Sequence, residues 1–239
     1  MIVADVRQSL TRADAQLALR LIGRGSASEL ARAEDALRDD GLDVLLDDPR
    51  LLSALVDSRH GAHASLALFT YVATRHALRA AGEADRMLAD YVASIVLHFG
   101  RRDRATRVGA SDDETYATLA EIAEDLDVAD ARRAFLVRAH LGNYALWLSG
   151  LFPDMIESRR WRRGGPGLDY YEELGRRGFR LAADHRLAEQ HGLAPLYATA
   201  AERFAVLRVA LNTLSDRYFF PNHSSPDRLM RQVRDAFVH

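Results

Sequence analysis

The sequence predicts an all-α protein, a multi-helix bundle of about nine or ten helices around a central buried helix at residues 131–152. Apolar residues recur at three- and four-residue spacing along most of the chain, and no stretch alternates apolar and polar residues long enough for a strand. The second half of the central stretch, AHLGNYALWLSGLF, is apolar on almost every side of a helix. A helix of that kind must lie inside a protein, so we expect the other helices to surround it.

Caps and breakers place the elements that precede the central helix. Thr11, Ser26 or Ser28, and Asp48 followed by Pro49 are typical helix starts, and Gly41 is a typical stop. Ser111, with Glu114 three residues later, is a capping-box pattern that opens an acidic helix. The segments expected to be helical are 3–22, 26–40, 49–58, 62–81, 85–99 and 112–130, and 42–47 is a short turn of helix or a connector.

A glycine- and proline-rich turn, RRGGPG at 162–167, is the strongest loop signal in the chain. The expected helices around it are 153–161 and 168–190, followed by 195–218 and 227–237. Gly175 and Gly178 are three residues apart, so they share a helix face and allow a close helix contact. Because six residues are too few for a domain linker, we expect one helical domain spanning 1–239.

Composition limits the classes of function. The formal net charge of -2 argues against a general nucleic-acid binder. The chain has no cysteine, no signal-peptide pattern at its start and no apolar run of spanning length. We therefore expect a cytoplasmic protein with no membrane segment. All 32 basic residues are arginine, which we interpret as the composition of a GC-rich, bacterial-type genome rather than selection for anion contacts.

Polar side chains inside the central helix predict a ligand pocket. His140, Asn143, Tyr144 and Trp147 lie among aliphatic neighbours, and His140, Asn143 and Trp147 share one face by their spacing. Buried polar groups need hydrogen-bond partners. These groups either line a small-molecule site with mostly apolar walls or pair with other helices.

Two histidine-rich segments suggest metal or acid–base chemistry. Asp57, His60 and His63 have the three-residue spacing of a two-histidine, one-carboxylate metal set, although a glycine interrupts the motif. His185 and Glu189 are four residues apart, so the carboxylate could orient the imidazole. An exposed loop and an ordinary surface pair are the structural alternatives. The sequence has no HExxH, ExxH or GxSxG motif, and it does not identify a cofactor.

A cluster of basic residues precedes the glycine turn. Arg159, Arg160, Arg162 and Arg163 surround Trp161, and arginines beside an aromatic ring predict an anion site for a phosphate or a nucleic-acid backbone. A solvated basic corner is the structural alternative. The acidic segment 112–130 is complementary in charge to the arginine clusters at 101–107 and 159–163, within the fold or between subunits.

These patterns favour a helical binding or interaction protein without an evident catalytic motif, acting as a homo-oligomer. The aromatic-rich segment NTLSDRYFFPNH at 212–223 supports an interface. The alternative is a helical metalloprotein or enzyme that uses histidine and carboxylate groups in a pocket inside the bundle. Self-association and a small-molecule ligand are the expected partners, and nucleic acid is not.

Overall fold

The chain folds into a bundle of helices, as the sequence predicts. The computed structural model describes residues 1–57, 61–101, 104–108, 115–128 and 130–236. These residues contain helices and connecting turns and no strand. The helices are α1 (Val6–Ser9), α2 (Arg12–Ile22), α3 (Ala27–Asp40), α4 (Leu42–Leu46), α5 (Pro49–Val56), α6 (Leu66–Ala80), α7 (Arg86–Phe99), α8 (Leu119–Glu124), α9 (Ala131–Leu151), α10 (Pro153–Arg163), α11 (Leu168–Ala183), α12 (Arg186–Gln190), α13 (Ala194–Glu202), α14 (Phe204–Leu214) and α15 (Pro226–Asp235). A π-helical turn, Ser215–Phe219, continues α14.

Short breaks explain why the described residues hold more helical segments than the nine or ten expected. The segment expected at 168–190 divides at His185, whose Nδ1 accepts a hydrogen bond from the backbone N–H of Leu187 and so caps a new helix. The segment expected at 195–218 divides at Arg203. Periodicity does not detect such breaks, because the apolar spacing continues through them.

Several caps lie where the sequence places them. Thr11 and Asp14 form a reciprocal capping box at α2, and Asp48 caps α5 ahead of Pro49. The capping box proposed for Ser111 lies outside the described residues. Within the described part of the acidic segment, α8 begins after Thr118, whose side chain accepts a hydrogen bond from the backbone of Glu121.

The central helix of the bundle is α9, as predicted. Its residues from 139 to 151 are buried except for the half-buried Trp147, and Phe152 caps its C-terminus. Helix α11 packs against α9 at a very close distance. A Cβ atom added to Gly178 would lie 2.6 Å from the backbone nitrogen of Gly142 and 2.9 Å from the backbone oxygen of Arg138. Glycine is therefore needed where these two helices cross.

Two groups of buried apolar side chains stabilise the bundle. The larger one includes α7, α9, α11, α13 and α14, and the smaller one is formed mainly by α1 to α6. Leu52 and Phe69 pack against both groups. Among the described helices, none combines the length and apolar character needed to cross a membrane.

Candidate ligand-binding cavity

A cavity of about 680 Å³ opens between α9, α10 and α11 and the turn that leads into α8. This volume is within the usual range of small-molecule sites, about 300–1,000 Å³. It brings together two groups of residues that the sequence proposed for separate sites, the polar side chains of the central helix and the arginine cluster. Its lining is Ala117, Thr118, Leu119, Ala120, Tyr144, Trp147, Leu148, Phe152, Met155, Arg159, Arg163, Gly165, Pro166, Tyr170 and Tyr171.

Aromatic rings form the inner wall of the cavity. Tyr144 and Trp147 stack with their ring centroids 6.0 Å apart, and Phe152 meets Trp147 edge-on at 4.9 Å. Tyr171 comes from the first turn of α11 and is buried together with Tyr144. Such a wall suits a flat or extended apolar group, because aromatic rings offer a large apolar surface with few rotatable bonds.

Two arginines line the cavity from α10. Arg159 and Arg163 follow Met155 at four-residue intervals, so all three project from one side of the helix. Both arginines are exposed, and in the described part of the chain neither has a carboxylate within 4.0 Å. Two cations without an acidic partner beside an apolar cavity make an arrangement that favours an anion.

The tyrosine hydroxyls provide hydrogen-bonding groups within reach of the same cations. Burial raises the pKa of Tyr144 and that of Tyr171, while the positive charge of Arg159 opposes both increases. Arg159 is therefore close enough to act on both rings. In the part of the chain that the structure describes, neither hydroxyl has a hydrogen-bond partner. Each remains protonated at neutral pH and is able to donate a hydrogen bond to a ligand.

The other two residues proposed for the pocket lie away from this cavity. His140 and Asn143 border a void of only about 10 Å³. The hydroxyl of Tyr91 donates a 2.5 Å hydrogen bond to Oδ1 of Asn143. His140 stacks on Tyr144 at 6.0 Å, and burial lowers its pKa to about 4. Packing against neighbouring helices, the structural alternative to a pocket, describes the surroundings of these two side chains.

The arginine cluster also divides between two environments. Arg160 lies 3.7 Å from Glu157 and over the ring of Trp161, and it does not line the cavity. Arg162 is exposed and does not line it either. Arg159 and Arg163 are thus the two members of the cluster that reach the cavity.

The metal set proposed at Asp57, His60 and His63 is described only in part. His60 lies outside the described residues, and Asp57 is 4.0 Å from the guanidinium of Arg24. In the remainder of the chain that the structure covers, no three histidine or carboxylate side chains are grouped to hold a metal ion. The metal site stays a prediction from sequence.

The side chain of His185 makes structural contacts rather than a side-chain pair with Glu189. Its Nδ1 caps α12, and its ring stacks on Phe135 at a centroid distance of 5.3 Å. Burial lowers its pKa, and the nearby charges of Arg138 and Arg186 lower it further. This environment favours the neutral imidazole that the cap requires. The backbone N–H of Glu189 donates a 3.4 Å hydrogen bond to the backbone oxygen of His185, but none of the described hydrogen bonds joins the two side chains.

The charge complementarity proposed for the acidic segment is partly visible within the fold. Asp127 lies 3.8 Å from Arg138, and the hydroxyl of Tyr116 donates a 2.5 Å hydrogen bond to Asp125. These partners are on α9 and in the acidic segment itself. None of the described acidic side chains of this segment pairs with Arg159 or Arg163, so the two cations remain available at the cavity.

Of the cavity lining, the sequence had proposed only Tyr144, Trp147, Arg159 and Arg163 as site residues. Tyr170 and Tyr171, which the sequence did not propose, follow the glycine turn after two intervening residues, and this dipeptide was the available signal. A second cavity of about 610 Å³ lies on the other side of Trp147 and Phe152, which border both. Phe219 and Phe220 of the C-terminal aromatic segment line this second cavity. Only the tertiary structure brings these distant segments together.

The chain matches none of the protein-family models, curated proteins or solved structures with which we compared it.

Proposed function

We propose that this protein binds a small organic anion with an aromatic or acyl body in the 680 Å³ cavity. The observation that carries the proposal is the placement of Arg159 and Arg163, without a carboxylate partner in the described residues, beside an aromatic wall. The apolar part of such a ligand would stack on Tyr144 and Trp147. Its carboxylate or phosphate would lie at the two guanidinium groups, with the tyrosine hydroxyls as further donors.

The residues that line the cavity support binding rather than catalysis. Their titratable side chains are arginines and tyrosines, and the described lining contains no carboxylate, histidine, cysteine or lysine to act as a base or nucleophile. The tyrosine pKa values are shifted upward, away from the range useful for a base at neutral pH. Cations and hydroxyl donors recognise an anion without changing it.

The experiment is a calorimetric titration with naphthoate, compared with its uncharged analogue naphthalenemethanol. We expect naphthoate to bind more tightly, because only the anion interacts with both arginines. Each of Arg159→Gln and Arg163→Gln should weaken naphthoate binding about fivefold, which corresponds to about 1 kcal/mol for an exposed ion pair. Neither should change the binding of naphthalenemethanol.

Arg162→Gln is the matched control, because Arg162 is on the same helix but does not line the cavity. The two tryptophans allow a second readout: in Trp161→Phe, the remaining Trp147 reports on the cavity by its fluorescence. Equal affinities for the two naphthalene compounds, or equal losses from Arg159→Gln and Arg162→Gln, would contradict the proposal.

Self-association and a cytoplasmic location are the remaining parts of this proposal. The cysteine-free sequence supports the location. Self-association is supported by apolar side chains that α15 turns outward, Leu229, Met230 and Val233. Light scattering with size-exclusion chromatography tests it, and a strict monomer at every concentration would contradict it.

A further inference from the structure

Helix α15 is amphipathic with its two sides reversed relative to an ordinary surface helix. Leu229, Met230 and Val233 are 62%, 68% and 51% exposed. The opposite side carries Arg228, Arg231 and Asp235, all of which are buried. A helix in an isolated subunit would be expected to bury the apolar side and expose the charged one.

Ion pairs hold α15 in this orientation. Arg228 donates hydrogen bonds of 2.9 Å and 2.6 Å to Asp154 on α10. Arg231 donates one of 2.8 Å to Asp216 in the π-helical turn. Asp235 accepts one of 2.9 Å from Arg208 on α14. Because three different elements hold the charged side, rotating the helix to bury its apolar side would leave these buried charges unpaired.

The charges that border the apolar side indicate what covers it. Asp227 and Arg234 are exposed and seven residues apart, so they lie on the same flank of α15, two turns from each other. When two copies of one helix pack antiparallel around a two-fold axis, equal flanks face each other. Asp227 of one copy then lies opposite Arg234 of the other, twice in the same interface, while Leu229 packs on Val233. This surface is therefore complementary to itself, as a two-fold interface must be.

A membrane surface is the less suitable partner. Helices that lie on membranes have lysine and arginine on the polar side that faces the headgroups and water. In α15 the polar side faces the protein, and the two exposed charges, Asp227 and Arg234, have opposite signs and add no net charge.

The surface also continues beyond α15. Arg234 lies 3.7 Å from Glu157 on α10, and Trp161, one turn further along the same side of α10, is 70% exposed. A standard interface buries about 800 Å² on each partner, more than a ten-residue helix provides by itself. We expect Trp161 and the neighbouring part of α10 to supply additional contact area.

We propose that α15 is the centre of a two-fold homodimer interface in which the helices of two copies pack antiparallel. This inference rests on the self-association part of the proposed function and assigns it a surface and a symmetry. No residue of α15 lines the ligand cavity, and α10 contributes Met155, Arg159 and Arg163 to the cavity but Trp161 to the interface. Ligand binding and dimer formation therefore use different side chains.

Sedimentation velocity tests the apolar contact. We expect the wild-type chain to sediment at twice its mass of 26.7 kDa. The double variant Leu229→Gln, Val233→Gln should weaken the dimer at least tenfold. Met87→Gln is the matched control, because Met87 is 59% exposed on a different helix, and this variant should remain dimeric. All of these substitutions are at exposed positions, and unchanged circular dichroism would confirm that the folds are intact.

Charge reversal tests the antiparallel arrangement. Asp227→Arg and Arg234→Asp should each weaken the dimer about tenfold, because each places like charges opposite each other. Mixing the two single variants should restore a dimer, since every facing pair in the mixed species is then complementary. A parallel helix pair or a foreign partner would not give this restoration.

The outcomes distinguish the proposed α15 interface from the more general proposal of self-association. A wild-type dimer that persists in the Leu229→Gln, Val233→Gln variant would overturn the α15 interface and leave self-association standing. A wild-type monomer would overturn both. Single charge variants that dimerise as tightly as the wild type, or no gain in affinity on mixing, would overturn the antiparallel geometry. Naphthoate binding by the monomeric variants should equal that of the wild type.

Discussion

The close contact between α9 and α11 decides whether an added methyl group raises or lowers the free energy of unfolding. Gly178→Ala adds one methyl group inside α11. In an uncrowded helix, alanine is more favourable than glycine by about 1 kcal/mol. Here the new Cβ would lie 2.6 Å from the backbone nitrogen of Gly142 and 2.9 Å from the backbone oxygen of Arg138. Backbone atoms cannot turn aside as a side chain can, so the two helices must separate.

The expected cost follows from these distances. Overpacking a core typically costs about 1–3 kcal/mol, and a clash with backbone belongs at the upper end. Subtracting the gain in helix propensity leaves a net loss of about 2 kcal/mol in the free energy of unfolding. For a chain of 239 residues this loss lowers the melting temperature by about 4–8 °C.

Differential scanning calorimetry or thermal circular dichroism measures the effect. Arg177→Ala, one residue earlier and on the exposed side of α11, is the control and should change the unfolding free energy by less than about 0.5 kcal/mol. If Gly178→Ala melted about 2–4 °C higher than the wild type, the gain in helix propensity would exceed any cost of overpacking. The close crossing of α9 and α11 would then be refuted.

Two further predictions concern stability and pH. Burial raises the pKa of Asp47, but hydrogen bonds from Arg75 and Arg86 outweigh it and lower the pKa to about 2. This carboxylate therefore stabilises the fold above pH 3.8 and ceases to do so as the pH falls towards 2. Urea unfolding of Asp47→Asn should show lower stability at neutral pH and a shallower loss across that window, and an unchanged pH slope would contradict the ion pairs. Burial likewise lowers the pKa of His140 from 6.5 to about 4. Between these pH values the unfolded chain takes up a proton that the folded chain does not, so the free energy of unfolding should decrease by about 3 kcal/mol as the pH falls from 6.5 to about 4. In His140→Gln that part of the slope should disappear, and its persistence would show that another group is responsible.

Local signals in the sequence were sufficient for the fold class and for many helix starts. The nearly continuous apolar run in α9 requires burial whatever surrounds it, and Thr11 and Asp48 cap helices through contacts within a few residues. The breaks at His185 and Arg203 were not predicted, because the apolar spacing continues across both. Periodicity records which side of a helix is buried, but not whether the helix is continuous.

The candidate site was harder to predict from sequence than the fold class, because contacts between distant parts of the chain form it. Tyr144 and Trp147 could be selected from sequence because they interrupt an aliphatic helix, yet His140 and Asn143 met the same criterion and lie against packed neighbours. Arg159 and Arg160 are adjacent in the chain, but only Arg159 reaches the cavity. A helix turns by 100° per residue, so neighbouring side chains face different surroundings.

The sequence by itself determined that this chain forms helices, which of them is most buried, and where several of them begin, because caps and apolar spacing act over a few residues. Tertiary structure alone decided that α15 turns its charged side inward, since Arg228, Arg231 and Asp235 find their partners on α10, in the π-helical turn and on α14. From sequence, the apolar side of a helix is expected to be the buried one. Partners far away in the chain reversed that expectation here, because a buried charge is stable only where an opposite charge meets it.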